Sequence, residues 1–415
     1  MVCAGAVLRF LEEVFRMSPF VRSAVVLGLL CATGPLAIDM FLPALPTIAG
    51  SLNSTIAAAQ LTIIAYFIAY GLAQMVYGPV ADMVGRKPPL IAGLVLFAAG
   101  SIGCALAPDM NSLVAARVVQ ALGGAAAMVI PRAIIRDMHT GPQATRLMAL
   151  VMLIISVSPM LAPLAGSGII ALSGWRAIFA TLAVAAALSI AVTLLLQPET
   201  LKPEHRVPVR LSALLSGVSK LLRDPVFMGL TFVGGFGMAS FFVFLASASF
   251  VYTGHYGLTP TGFSLAFAAN AAGFFTATQL AATLGEKFGA DRVVNRAVTG
   301  FMGFTLLLVG LVWFGIDQFA LLVGLLICAN ACLGLVIPTA MVMALDDHGD
   351  IAGLASSLGG MLQMLAGGVM TMLAGPYFNG TPLPMVVAIA IAAVLAFAAM
   401  RFTASARTRR PVAPA

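Results

Sequence analysis

Twelve apolar stretches, each long enough to cross a bilayer, run through this sequence and decide what it can fold into. A hydrocarbon core about 30 Å thick takes roughly 20 apolar residues per helix. Stretches meeting that requirement fall at 22–44, 58–80, 88–107, 112–134, 146–171 and 176–197, then at 226–252, 262–284, 296–315, 318–342, 352–376 and 383–401. Between the sixth and seventh lies the one long charged interruption, Pro198 to Arg223, with Glu199, Lys202, Glu204, Arg206, Arg210 and Lys220. The expected fold is an all-α polytopic membrane protein with twelve transmembrane helices in two six-helix halves. The halves are residues 1–197 and 225–415, the latter ending in a short tail, with a cytoplasmic linker at 198–224.

Composition agrees with this reading. Of 415 residues, 61% are hydrophobic and 9% charged, against about 25% charged in a soluble domain. The 41 glycines suit close helix packing in lipid. The 23 prolines are tolerated in membrane helices, where neighbours re-satisfy the freed carbonyls. Two similar halves joined by a long linker are the layout of alternating-access carriers.

Placing the N-terminus in the cytoplasm puts every lysine and arginine except Arg117 and Arg176 on the cytoplasmic side, which is the bias that sets topology. Both termini are then cytoplasmic. The first apolar run follows Arg16 and Arg22 and leads directly into further spans, so it reads as a span rather than a cleaved leader. The net charge of +7 forms no basic stripe of the kind that binds nucleic acid. Cys3, Cys31, Cys104, Cys328 and Cys332 form no CxxC pair and read as buried thiols. The four histidines read as residues of loops and membrane ends. With no Walker A loop and no triad pattern, neither ATP hydrolysis nor enzymatic catalysis is expected.

Ionisable residues inside spans are therefore the informative ones, because a charge facing hydrocarbon is costly. Asp39, in the run LAIDMFLPALP, lies about 25 Å beyond Arg22 at 1.5 Å per residue. Arg117 sits at similar depth in span four. Both are expected to face the protein interior, as a substrate-binding or proton-coupling pair or as a structural pair orienting spans one and four. Desolvation disfavours a charged carboxylate and a nearby cation favours it, so such an acid can exchange a proton as its surroundings change.

Tyr66, Tyr70 and Gln74, four residues apart, share one face of span two and read as a polar aromatic wall or an ordinary contact face. Asn270 in span eight and Asn330 in span ten are further candidates for substrate contact. Phe241, Phe242 and Phe244 read as packing residues.

Gly78-Pro-Val-Ala-Asp82-Met-Val-Gly85-Arg86-Lys87-Pro88 forms a cytoplasmic turn in which glycine permits tight turning and close approach. It reads as a latch for one conformation, with Asp82 able to accept from a neighbouring helix N-terminus. A faint echo follows span eight, where Glu286 and Gly289 align with Asp82 and Gly85. Pro159, Pro163 and Gly166 in span five suit a bent helix at a moving interface.

These residues resemble the major facilitator superfamily over residues 20–400, and most closely its twelve-span drug:proton antiporters of the bicyclomycin-resistance and chloramphenicol/florfenicol exporter family. The resemblance is carried by Asp39 to Pro43 with Pro46, by Gly78 to Pro88, by Arg117 with Gln120, Gly123 and Gly124, and by Trp175-Arg176. Span five departs from the family in having Ser158-Pro159 where glycine–proline is frequent. The resemblance implies a major facilitator fold, with the span-one acid and span-four arginine in substrate recognition and proton coupling. It also implies proton-driven export of small, moderately hydrophobic drugs across a bacterial inner membrane. A metabolite or amino-acid transporter of the same fold is the alternative. No cofactor is expected, with the proton gradient as energy source, and a functional monomer in the bilayer is expected.

Overall fold

A computed structural model describes residues 19–139, 141–206 and 211–408. Cys3, Arg9, Arg16, Arg210, Arg409 and Arg410 lie outside the described residues. In chain order the α-helices are α1 (Pro19–Asp39), α2 (Leu45–Ser51), α3 (Ile56–Val84), α4 (Lys87–Leu106), α5 (Met110–Met138), α6 (Gly141–Ser173) and α7 (Arg176–Leu196). They continue with α8 (Leu211–Arg223), α9 (Pro225–Phe250), α10 (Pro260–Phe288), α11 (Ala290–Trp313), α12 (Phe319–Leu345), α13 (Ala352–Ala374) and α14 (Pro382–Thr408). Twelve segments are long and apolar enough to cross a membrane, the first running over α1, a 3-10 turn and α2 as Phe20–Ser51. The expected count of twelve spans holds.

The chain divides into two compact units. One comprises the described residues of Met1–Ile48 with Leu72–Val209, the other Ala49–Gly71 with the described residues of Arg210–Ala415. In the first unit a core of Leu27, Leu30, Cys31, Leu90, Leu94, Ile130, Ile134 and Val151 joins α1, α4, α5 and α6. There α4 and α5 meet at backbone contact: a Cβ on Gly100 would lie 2.3 Å from the Gln120 nitrogen, and one on Gly123 would lie 2.2 Å from the Phe97 nitrogen. Only glycine permits that approach, which is how small residues drive helix packing without a hydrophobic gradient. In the second unit Phe301, Ala329, Leu333 and Ala393 form a corresponding cluster across α11, α12 and α14.

Three local expectations change. Span one is not an unbroken helix over 22–44: α1 ends at Asp39, and a 3-10 turn at Leu42–Ala44 leads into α2. Pro43 lacks the N–H that would bond the Asp39 carbonyl, and Pro46 lacks the one for Leu42, so the ladder fails at this point. The stretch before span seven is not merely polar, since α8 lies within it. Cys328 is exposed rather than buried, whereas Cys31 and Cys104 are buried. Of the histidines, His348 is buried against Asp224, its Nε2 3.2 Å from a carboxylate oxygen.

Candidate functional site

The two ionisable residues picked out by the sequence are both buried, and Arg117 is anchored to the backbone of span one beside its break. Asp39 closes α1 and is 4% exposed, while Arg117 on α5 is wholly buried. The Arg117 Nη1 donates to the Ala37 carbonyl at 3.0 Å, two residues before Asp39, and to Gln120 Oε1 at 2.7 Å. Gln120 Nε2 in turn donates to Ser101 Oγ at 2.8 Å, and Ser101 donates to the Phe97 carbonyl at 2.7 Å. The guanidinium carbon also sits 4.7 Å from the Phe41 ring centre and 5.9 Å from that of Phe179. Those two rings are 5.5 Å apart, so the cation is held by π faces and oriented donors together. A lysine has neither the fork nor the flat face for this seat.

Helix α6 fixes the other side of the break. A Cβ on Gly166 would lie 2.2 Å from the Met40 carbonyl oxygen, so this glycine backs directly onto the residue after Asp39. Pro159 and Pro163 both lie inside the continuous α6, and Gly166 follows Pro163 by less than one turn. The three residues expected at a mobile interface therefore lie on the helix that abuts Met40, the residue after Asp39.

In the second unit Tyr66 and Tyr70 are buried and stacked, with ring centres 5.7 Å apart. Gln74 is half-buried and belongs to the part of α3 grouped with the first unit, so the three-residue face does not stay within one unit. Phe67 stacks on Phe242 at 3.6 Å, and Gln60 Nε2 donates to the Ala246 carbonyl at 3.1 Å. Asn330 Nδ2 donates to Asn270 Oδ1 at 3.2 Å, bringing together two candidates that are distant in sequence. Phe241 stacks on Phe274 and Phe244 on Phe267, so these phenylalanines pack.

The turn between α3 and α4 is built as an ion network within the first unit. Gly85 takes φ +107°, a conformation that favours glycine. Arg86 pairs with Asp82 through Nη1, and with Asp137 on α5 through Nε at 2.7 Å and Nη2 at 3.3 Å. Burial opposes the charge of Arg86, but the Asp137 and Asp82 carboxylates more than offset it and raise its pKa. Glu199, just after α7, accepts from the Arg86 N–H at 2.9 Å and the Lys87 N–H at 3.0 Å. A distant side chain thus caps the N-terminus of α4, whose own N-cap residue offers no side-chain bond. Partial burial pushes the Glu199 carboxyl up, and the backbone N–H groups of Arg86, Leu201, Lys87 and Thr200 outweigh it, holding the pKa below the usual value. Gly78 has open space around it.

The family sequence profile described as Major Facilitator Superfamily matches residues 27–371. The chain belongs to the Major Facilitator Superfamily. Among its relatives in this superfamily, the uncharacterized MFS-type transporter YdgK of Bacillus subtilis is 33% identical over 85% of this chain and 88% of its own length. A bicyclomycin resistance protein homolog of Haemophilus influenzae is 29% identical over 91% of this chain and 95% of its own. A chloramphenicol resistance protein of Pseudomonas aeruginosa is 29% identical over 85% and 83%. The superfamily layout expected from the twelve spans is therefore present, in a chain with drug-resistance relatives.

Sequence reasoning did not identify Phe41 and Phe179 as the aromatic seat of Arg117, Asp137 as a partner of Arg86, or Glu199 as a helix cap. Phe41 carried a signal in standing two residues after a buried acid. Phe179 and Asp137 carried none, because their partners lie far away in sequence.

Proposed function

We propose that this superfamily member is a proton-coupled antiporter that exports small, moderately hydrophobic drugs across a bacterial inner membrane by alternating access. In this reading both termini are cytoplasmic, Asp39 exchanges the coupling proton, and the caged Arg117 holds the break in span one in register with it. Tyr66, Tyr70, Gln74, Asn270 and Asn330 contribute polar contacts to substrate. The turn from Gly78 to Arg86 and the Pro159–Gly166 stretch serve the conformational change.

One observation carries the reading: Asp39 is a buried acid at a helix break, 12 residues from the end of its span at Ser51. Every other acid within a described span lies within two residues of an end: Asp82 in Ile56–Val84, Asp137 in Met110–Met138, Glu286 in Pro260–Phe288, Asp291 in Ala290–Trp313, and Asp346 and Asp347 in Phe319–His348. An intramembrane carboxylate of this kind marks a proton or substrate path. The drug class is supported by relatives named for bicyclomycin and chloramphenicol resistance.

The test is transport by purified protein in proteoliposomes under an imposed pH gradient. Chloramphenicol-like, bicyclomycin-like, dye and amino-acid substrates are compared for wild type, Asp39→Asn and Arg117→Gln. The expected result is drug movement opposite to proton flow, abolished in folded Asp39→Asn. Gradient-independent movement that survives Asp39→Asn sinks the proton assignment. Movement of amino acids with no drug movement replaces the substrate class with a metabolite.

A further inference from the structure

Helix α8 (Leu211–Arg223) has apolar side chains that its own protein does not cover. Its 13 residues form the most strongly amphipathic helix among those described. One side packs into the rest of the second unit: Leu221 is fully buried, Leu214 and Val218 are half-buried, and Gly217 abuts Leu354 at the start of α13. A Cβ on Gly217 would come 2.5 Å from a Leu354 methyl group. The polar side carries Ser212, Ser216, Lys220 and Arg223, all exposed.

Between these two sides lies a third. Leu215 is 57% exposed and Leu222 46%, and seven residues apart they fall within about 20° of each other around the helix. The stripe sits about 100° from the centre of the protein-facing side and about as far from the polar side. A helix that simply covered the protein end would be leucine-rich on one arc and polar elsewhere. This helix has an apolar edge turned sideways, next to its basic residues, and no acidic residue.

Position gives the edge its occupant. Asp224 caps α9 by accepting from the Val226 N–H at 2.8 Å, and the membrane span Pro225–His255 begins at the next residue. Gly217 abuts the start of the span Ala352–Tyr377 and Asp224 leads directly into Pro225–His255, so the depth of α8 is that of the bilayer boundary. Helices that lie in that boundary insert an apolar edge below the headgroups and hold basic side chains at their level.

We propose that α8 is a membrane-surface helix: Leu215 and Leu222 enter the lipid interface, and Lys220 with Arg223 engages anionic headgroups. The bilayer surface is thereby a binding partner of the connection between the two halves.

The test uses full-length protein in lipid nanodiscs, with native cysteines replaced and single cysteines at 215, 216 or 222 carrying an environment-sensitive fluorophore. Labels at 215 and 222 are expected to be blue-shifted and shielded from an aqueous quencher at least threefold more than the label at 216. The shielding should grow when phosphatidylglycerol replaces half of the phosphatidylcholine. Lys220→Gln with Arg223→Gln should abolish that growth while leaving the melting temperature unchanged. Labels at 215 and 222 as accessible as that at 216 would overturn the proposal. Equal shielding in a lipid-free amphipathic polymer would overturn it too, since protein would then be covering the stripe. Shielding indifferent to both phosphatidylglycerol and the double variant would remove the anionic-headgroup claim.

Discussion

Replacing Gly166 with alanine tests whether the break at Asp39 is braced by α6. The new Cβ would lie 2.2 Å from the Met40 carbonyl oxygen and 2.9 Å from its carbon. Ordinary van der Waals contact needs about 1 Å more than the shorter distance. The obstacle is backbone, so no rotamer change relieves it. Either α6 moves away, or the turn carrying Met40 shifts and takes Asp39 with it. Overpacking of this kind costs about 1–3 kcal/mol, and displacing a functional group by about 1 Å can cost on the order of 100-fold in rate.

Gly168, two residues on, provides the control. A Cβ there meets nothing within 4 Å, and alanine in a helix interior is favoured over glycine by about 1 kcal/mol. Gly166→Ala is expected to lower the melting temperature and to reduce transport at least tenfold. Gly168→Ala should transport normally and melt no lower than wild type. Transport and melting are measured on the same reconstituted preparations. A Gly166→Ala protein that transports at the wild-type rate with unchanged melting refutes the bracing argument. Equal damage from both alanines would show that α6 merely dislikes added volume.

Two further outcomes follow from the geometry. The Glu199 pKa is depressed, so its contribution is present above the usual carboxylate range near pH 4.5 and is lost as pH falls through its folded value. Because Glu199 is largely exposed, Glu199→Gln should cost only about 0.5–1 kcal/mol at pH 7 and should flatten the loss of thermal stability below about pH 4.5; superimposable pH–melting profiles would discard the capping role. For Asn270 and Asn330, a double-mutant cycle with leucine at each position should return a coupling of about 0.5–2 kcal/mol, and a coupling of zero would mean that their hydrogen bond contributes nothing.

The twelve spans were legible because lipid leaves so few options: length and hydropathy alone mark a helix that must satisfy its own backbone. Asp39 and Arg117 were legible for the same reason, since charges are rare enough inside spans to single themselves out. What local pattern did not reveal is pairing across sequence distance. Glu199 caps a helix 113 residues upstream, and nothing around Pro198 announces that. Phe179 sits against Arg117 because α7 places it there, yet its own neighbourhood is uniformly apolar. Helix α8 was hidden differently. Its leucines recur at 211, 214, 215, 218 with valine, 221 and 222, a helical period, but too short for a span and masked by the charges that precede it.

The echo between the two halves gains content from the backbone and from the ion pairs. Gly85 and Gly289, aligned by sequence, both adopt positive φ, +107° and +86°, so a glycine-favouring conformation recurs after α3 and after α10. Each turn is also tied to a distant helix end, but with the charges exchanged. In the first unit the turn supplies the cation, Arg86, and α5 supplies Asp137; in the second the turn supplies Asp291 and α14 supplies Arg407. The settings differ as much as the signs. The side chains of Arg86 and Asp137 are 7% and 18% exposed, against 32% and 66% for Arg407 and Asp291. An exposed pair contributes little, whereas breaking a buried one leaves a stranded charge and is strongly destabilising. The positive-φ glycine is thus shared, while the buried ion pair belongs to the first unit, where Glu199 also accepts from the backbone of the same turn. The unit that contains Asp39 therefore also carries the more buried of the two ion pairs at these turns.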